Sequence, residues 1–153
     1  HLSSIATAKD GISFNIVEHG HRIAKEAGTH FNPAVDVVIA RVSNSGELLG
    51  GVIYTNYTGA SIGIHVAGFR PDWLNRDMLW VTFHYAFVQL GVKKVFAQMR
   101  EANTKALEFN RKLGFKIVAK VADVFPDGAC ILSSLAREDC RWLDLKPREL
   151  RSR

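Results

Sequence analysis

The run Val95-Phe96-Ala97-Gln98-Met99-Arg100-Glu101-Ala102-Asn103-Thr104-Lys105-Ala106-Leu107-Glu108-Phe109-Asn110-Arg111-Lys112-Leu113-Gly114-Phe115 constrains this chain more than any other stretch. It reads as a buried strand, a polar turn ending in an asparagine, one short helix, and a Gly-Phe step into another strand. Gly114 stands where a left-handed residue closes a helix, and Phe115 stands where a hydrophobic side chain folds back onto it. The chain must therefore alternate strand and helix within one unit.

Its 153 residues fit one domain, because two would each bury too little apolar surface to be stable. The expected division is a single domain over 1–145 and a basic tail, Lys146 to Arg153, with no apolar period, which is expected to fray. A hydrophobic fraction of 47% and a charged fraction of 23% match ordinary globular usage, with no repeat and no low-complexity tract. No apolar run approaches the roughly 18 residues that span a bilayer, and no charged-then-apolar leader is apparent. A cytoplasmic protein without membrane partners is the expectation. Cys130 and Cys140 lack the paired spacing of a zinc site or a redox motif, so no metal is expected. The net charge of +5 can attract nucleic acid, acidic lipid or an anionic cofactor, and its sign alone does not choose among them.

Residues 12–28 place Ile12, Ile16, Ile23 and Ala27 at loosely helical spacing, with Asp10 or Ser13 as a cap and Gly28 as a stop. The spacing predicts one helix, open to a break at Gly20. Val35 to Val42 and Leu48 to Tyr57 predict a hairpin around Asn44-Ser45-Gly46. Ala60 to Phe69 alternates Ile62, Ile64 and Val66 against Ser61, Gly63 and His65, as a half-buried strand does. Pro71 ends it, and Asn75 caps a helix predicted to run to Leu90 with Asp77 in its first turn. Strand Val92 to Met99, helix Thr104 to Leu113, strands Lys116 to Val124 and Ala129 to Leu135 around Pro126-Asp127-Gly128, and a short turn from Arg137 to Leu143 complete the chain.

That order, together with Asn103, Ala106 and Gly114-Phe115, resembles the GNAT superfamily of N-acetyltransferases. The resemblance implies an α+β (mixed α/β) single domain. Its central, mostly antiparallel sheet would be splayed between strands 60–69 and 92–99 and flanked by helices. It implies acetyl-CoA, or another acyl-CoA, as cofactor. In that family the pantetheine arm pairs with the splayed strand, here through Val66 and Ala67, while the pyrophosphate rests on the following helix start. Arg70, Asn75 and Arg76 would serve it here. Asn103 would bond the arm, and Ala106 would let it lie close. The reaction implied is direct attack of an amine on the thioester in a ternary complex.

Two departures stand out. The family builds the phosphate turn with small residues, whereas this chain reads Arg70-Pro71-Asp72-Trp73-Leu74-Asn75-Arg76-Asp77 without a glycine. Seven residues beyond Asn103, many members carry a tyrosine that protonates the leaving thiolate; here Asn110 lines the cofactor position and cannot transfer a proton. The missing tyrosine resembles the ribosomal-protein N-terminal acetyltransferase branch. The runs His65-Val66-Ala67, Phe83-His84-Tyr85-Ala86-Phe87 and Arg137 to Leu143, with Trp73, look like phage-encoded relatives. The likeness covers roughly residues 36 to 143.

His65, on the splaying strand and titrating near neutrality, is the candidate base, with Tyr54 as a second catalytic candidate and Tyr57 for the amine pocket. As packing residues none of the three needs a function, and that is the simpler reading of each. Acceptors open to the sequence are a small-molecule or protein amine, taken by a monomer or homodimer. Two rivals stay open: a GNAT-shaped binding module that has lost cofactor use, and a nucleobase-modifying transferase resembling the phage Mom proteins, for which nucleic acid would be the partner.

Overall fold

Seven strands share one sheet in the computed structural model, which describes residues 11–145. In chain order the elements are β1 (Ile12–Phe14), α1 (Val17–Ala27), β2 (Val37–Val42), β3 (Leu48–Thr55), β4 (Ser61–Gly68), α2 (Arg76–His84), β5 (Lys94–Arg100), α3 (Thr104–Leu113), β6 (Lys116–Phe125) and β7 (Gly128–Ala136). Two 3-10 turns, Arg137–Asp139 and Arg141–Asp144, follow. The order across the sheet is β1-β2-β3-β4-β5-β7-β6, and only the β4–β5 pair is parallel. The expected mixed, mostly antiparallel sheet flanked by helices is thus observed. The tail from Lys146 lies outside the described residues.

Alternation along the strands sends side chains to two cores. On one face Ile39, Val52, Tyr54, Ile62, Ile64, Val95, Ala97 and Met99 pack with residues of α2 and α3, including Met78, Val81, Phe83 and Leu113. On the other, Val38, Ala40, Leu48, Ile53 and Ala67 receive Ile23 and Ala24 of α1. Gly51 is what lets α1 settle: a Cβ there would stand 2.4 Å from Ile23 Cδ1 and 2.8 Å from the Ile39 carbonyl oxygen.

Ile12 does not belong to the first helix as its spacing suggests. It pairs with Arg41 in β1, and Asn15, at φ 58, turns the chain before α1 starts at Val17. Three residues are too few to show a strand's alternation, so the helical period ran through them. Gly20 does not break α1 either. It is buried, with Phe31 in the space of its missing side chain.

Helix α2 starts as predicted, the Asn75 Oδ1 accepting from Met78 N at 2.9 Å. It does not run on as one α-helix to Leu90. After His84 the turn widens into a π-helical segment, Tyr85–Gln89, where Leu90 N bonds the Tyr85 carbonyl at 2.9 Å. Arg137 Nη1 donates to the Phe87 carbonyl at 2.9 Å and ties the chain's last turns to this segment. Helix α3 keeps its predicted bounds. Asn103 Oδ1 accepts from Ala106 N at 3.1 Å, and Gly114, at φ 105, ends it with Phe115 N bonding the Asn110 carbonyl.

Replacing Gly51 by alanine is expected to push α1 off the sheet and lower unfolding free energy by about 1–3 kcal/mol, the usual cost of overpacking. Urea unfolding followed by circular dichroism measures it. A loss inside experimental error would mean that α1 is not seated on that glycine.

Candidate functional site: a wedge between two parallel strands

Strands β4 and β5 pair from Ser61↔Lys94 to Ile64↔Ala97 and no further. Beyond that point each stays with its outer neighbour, β4 with β3 as far as Gly50↔Gly68 and β5 with β7 as far as Arg100↔Cys130. The strands therefore part, and His65 to Gly68 face Gln98 to Arg100 across a wedge. A strand edge opened this way offers backbone groups with which an extended ligand can pair. Val66 turns its side chain toward the α2–α3 face and Ala67 turns its own toward α1.

His65 lies opposite Ile53, on the α1 side of the wedge, and is half-buried. Burial pulls its pKa below 6.5, while the nearby Asp36 carboxylate pulls the other way. The net shift is downward, so the imidazole is neutral at pH 7 and able to take a proton.

The loop after β4 departs furthest from a phosphate cradle. The amides of Phe69 and Arg70 both donate to the Leu49 carbonyl, at 2.9 and 3.2 Å, and Trp73 N donates to the Arg70 carbonyl at 3.3 Å. The Arg70 side chain is paired with Glu47, Nε to Oε2 at 2.9 Å. Trp73 is 7% exposed and lies on the α2–α3 face over the cross-strand pair Gly50 and Gly68. A Cβ on Gly50 would come within 2.5 Å of the indole, and one on Gly68 within 2.2 Å. From that seat the indole reaches α3, stacking near Phe109 with ring centroids 6.5 Å apart. Arg41, beside Gly50 on β2, fixes the loop by donating from Nη1 to the carbonyls of Asp72 at 2.7 Å and Trp73 at 3.2 Å.

The wedge is open between the strands, and Trp73 bridges its α2–α3 side. Asn75 caps α2 and Arg76 begins it, exposed.

On α3, Asn103 is exposed; its amide oxygen accepts the capping bond, and its NH₂ is left to donate to a ligand. Ala106 follows in the first turn. Asn110 is buried, its Nδ2 directed at Met99 Sδ at 3.1 Å. It lines a groove of about 460 Å³ with Met99, Leu107, Phe115 and Ser133, between α3 and the sheet. A carboxamide on a thioether neither donates nor accepts a proton in a reaction.

Two candidates fall away from the wedge. Tyr54 is 1% exposed, its hydroxyl donating to the Thr82 carbonyl of α2 at 2.8 Å and its ring edge-on to Tyr85. Burial drives its pKa well above 10.0. It is a packing residue, because its strand position faces α2 and not the opening. Tyr57 is exposed beyond the end of β3, next to the zipped end of β4–β5 and far from the splayed end.

Sequence reasoning missed the seat made by Gly50, Gly68, Arg41 and Phe109. The signal was present in Gly50-Gly51, since a glycine inside a strand marks close approach of another group.

No protein-family model and no curated protein sequence matches the chain. Solved structures do. The chain is similar to a spermidine N-acetyltransferase SpeG mutant from Vibrio cholerae (TM-score 0.60, 16% identity, 72% of this chain and 69% of that one). It is similar to spermidine N-acetyltransferase from Vibrio cholerae in complex with CoA and spermine (TM-score 0.60, 15% identity, 69% and 68%). The Campylobacter jejuni N-acetyltransferase PseH follows (TM-score 0.53, 16% identity, 68% and 70%). At these identities the likeness shows the fold, which is that of the GNAT N-acetyltransferases.

Because burial lowers the His65 pKa, the folded protein binds this proton less readily than the unfolded chain. Stability contributed by neutral His65 is present at pH 7 and is lost as pH falls below 6.5 toward the folded value. His65→Gln is expected to show a smaller drop in unfolding free energy between pH 7.5 and pH 5 than the parent, read by urea melts. An equal drop in both proteins would assign the loss elsewhere, for instance to His19 or His84, whose values burial also lowers.

Proposed function

We propose that this protein is an acyl-CoA-dependent N-acyltransferase, transferring an acetyl group to an amine by direct attack in a ternary complex. The observation that carries it is the wedge beyond Ile64–Ala97. A pantetheine arm bonded along Val66 and Ala67 brings its thioester to the apex, and backbone N–H groups there receive the oxyanion. The amine enters from the α1 side, past His65. His65 takes a proton from the bound ammonium, the neutral amine so formed attacks the thioester carbonyl carbon and the C–N bond forms, and the tetrahedral intermediate gives up its second N–H proton to solvent as the C–S bond breaks and the thiolate leaves. Asn103 and Ala106 flank the arm on α3. Asn110, held on Met99, offers the thiolate no acid, so protonation falls to solvent. Rate comes from positioning more than from acid–base help.

The neighbours named for spermidine act on a polycation. A chain of net charge +5 repels one at long range, which favours an acceptor with a single amine, either a small molecule or a protein. The finer likeness to the ribosomal-protein branch and to phage relatives rests on sequence residues alone. A cytoplasmic location accords with it, and no described helix is long and apolar enough to cross a membrane.

One observation favours a second reading, a binding module without catalysis: the Trp73 bridge, and the amides of Phe69, Arg70 and Trp73 bonded to the protein's own carbonyls, depart from a phosphate cradle of the family's kind. Nothing in the site favours a nucleobase acceptor.

Thiol release from acetyl-CoA, measured over a panel of primary amines, decides between transferase and module. The transferase releases CoA in proportion to one acceptor, and His65→Gln lowers kcat/KM by about 100-fold, within the usual range for a lost general base. Calorimetric titration showing no heat with acetyl-CoA, together with no thiol release, would leave the module.

A further inference from the structure

The loop between β4 and α2 bears on which part of the donor this chain reads. A diphosphate is held by backbone N–H groups aimed at it and by cations that have no other partner. Here the amides of Phe69 and Arg70 converge on the Leu49 carbonyl, and Trp73 N closes a turn on the Arg70 carbonyl. Met78 N, one turn into α2, is engaged by the Asn75 side chain. The carbonyls of Asp72 and Trp73 meet Arg41, which holds the loop from behind. Four amides of the loop and the first turn of α2 are thus spent on the protein's own acceptors.

Charge points the same way. Arg70 is paired with Glu47, and segment 70–77 sets two carboxylates, Asp72 and Asp77, the latter in the first turn of α2, against its two guanidinium groups, Arg70 and Arg76, so it carries no net positive charge. An acidic group there interacts with the helix dipole in the manner a phosphate would. Sterics complete the case. The Trp73 indole stands on Gly50 and Gly68 and reaches Phe109, on the face where the nucleotide end of a donor would leave the wedge. Between His65–Gly68 and Gln98–Arg100 the two strands are unpaired, each held by its outer neighbour.

We propose that the donor is recognised through its acylated pantetheine arm, and that the nucleotide end of CoA contributes no specific contact. This rests on the transferase reading above and names its substrate class: S-acyl pantetheine thioesters, whether carried by CoA or by another phosphopantetheine bearer. The arm pairs as a strand in the wedge, and Trp73 forms the wall at which recognition stops. Atoms balance as in the parent reaction, with the acyl carbon passing from sulfur to nitrogen and the thiol of the arm released.

The test compares acetyl-CoA, S-acetyl-4′-phosphopantetheine and S-acetylpantetheine as ligands by calorimetry and as donors by thiol release, with adenosine 3′,5′-bisphosphate as competitor. Expected are dissociation constants for the three thioesters within about threefold of one another, a difference too small for a lost phosphate clamp. Adenosine 3′,5′-bisphosphate at millimolar concentration should not compete. Acetyl-CoA affinity should change less than about twofold between low and physiological salt, as expected when no phosphate is bound by exposed charge. Truncated thioesters binding ten or more times weaker than acetyl-CoA, or competition by the bisphosphate, would overturn the inference and leave the transferase intact. Heat from none of the three would overturn both. Binding of all three without thiol release would uphold the arm as ligand and remove the transferase.

Discussion

The rest of the molecule is arranged around two strands that cannot stay together. Parallel pairing is slightly weaker per residue than antiparallel pairing, and β4 and β5 are each held by an antiparallel partner on the far side. Twist accumulates across a sheet, and the last residues of each strand stay with the outer partner and not with each other. The pair parts at Ile64–Ala97. The helices follow from this. α1 covers the β2–β4 half on one face, and α2 and α3 cover the sheet on the other. Neither β4 nor β5 then has an interior partner for its last residues.

The tryptophan seat depends on that parting. Gly50 and Gly68 face each other across β3–β4 and form a flat floor without side chains. An indole fits there only because both Cβ atoms are missing. Arg41 reaches the same floor from β2, its Nη1 engaged on two carbonyls and its Nε buried without a partner among the described residues. One guanidinium thereby fixes the height of a whole loop. Around that seat the amides of Phe69, Arg70 and Trp73 are bonded to the carbonyls of Leu49 and Arg70, so the N–H groups that order the loop are not also offered to a ligand.

Much of this architecture is legible in the residues, for definite physical reasons. Asn103 and Gly114 mark the ends of α3 because one side chain satisfies a first-turn amide and one residue tolerates positive φ; both did as expected. The alternation Ile62, Ile64 against Ser61, Gly63 placed β4 correctly. β1 was hidden, because its three residues lie beside a helix whose period absorbs Ile12. The site divides in the same way. His65 could be placed beside the opening, since strand parity and register follow from sequence. Tyr54 and Tyr57 could not, because which face of β3 meets α2, and which end of β4 is zipped, depend on pairings between distant segments. The Trp73 seat lies in the same category, joining β2, β3, β4 and α3.

The widened turn at Tyr85–Gln89 holds one more residue than an α-helical turn between the same anchors. That extra residue makes the segment a spacer whose length is fixed by chain count. Taking one residue out would let an ordinary α-turn close between the same anchors, with Leu90 and Val92 keeping their places on the core and the local change confined to the stretch whose Phe87 carbonyl meets Arg137. The segment thereby takes up one residue of chain length without disturbing β5, whose phase, and with it which of its side chains line the opening, is held by its pairing with β4 and β7.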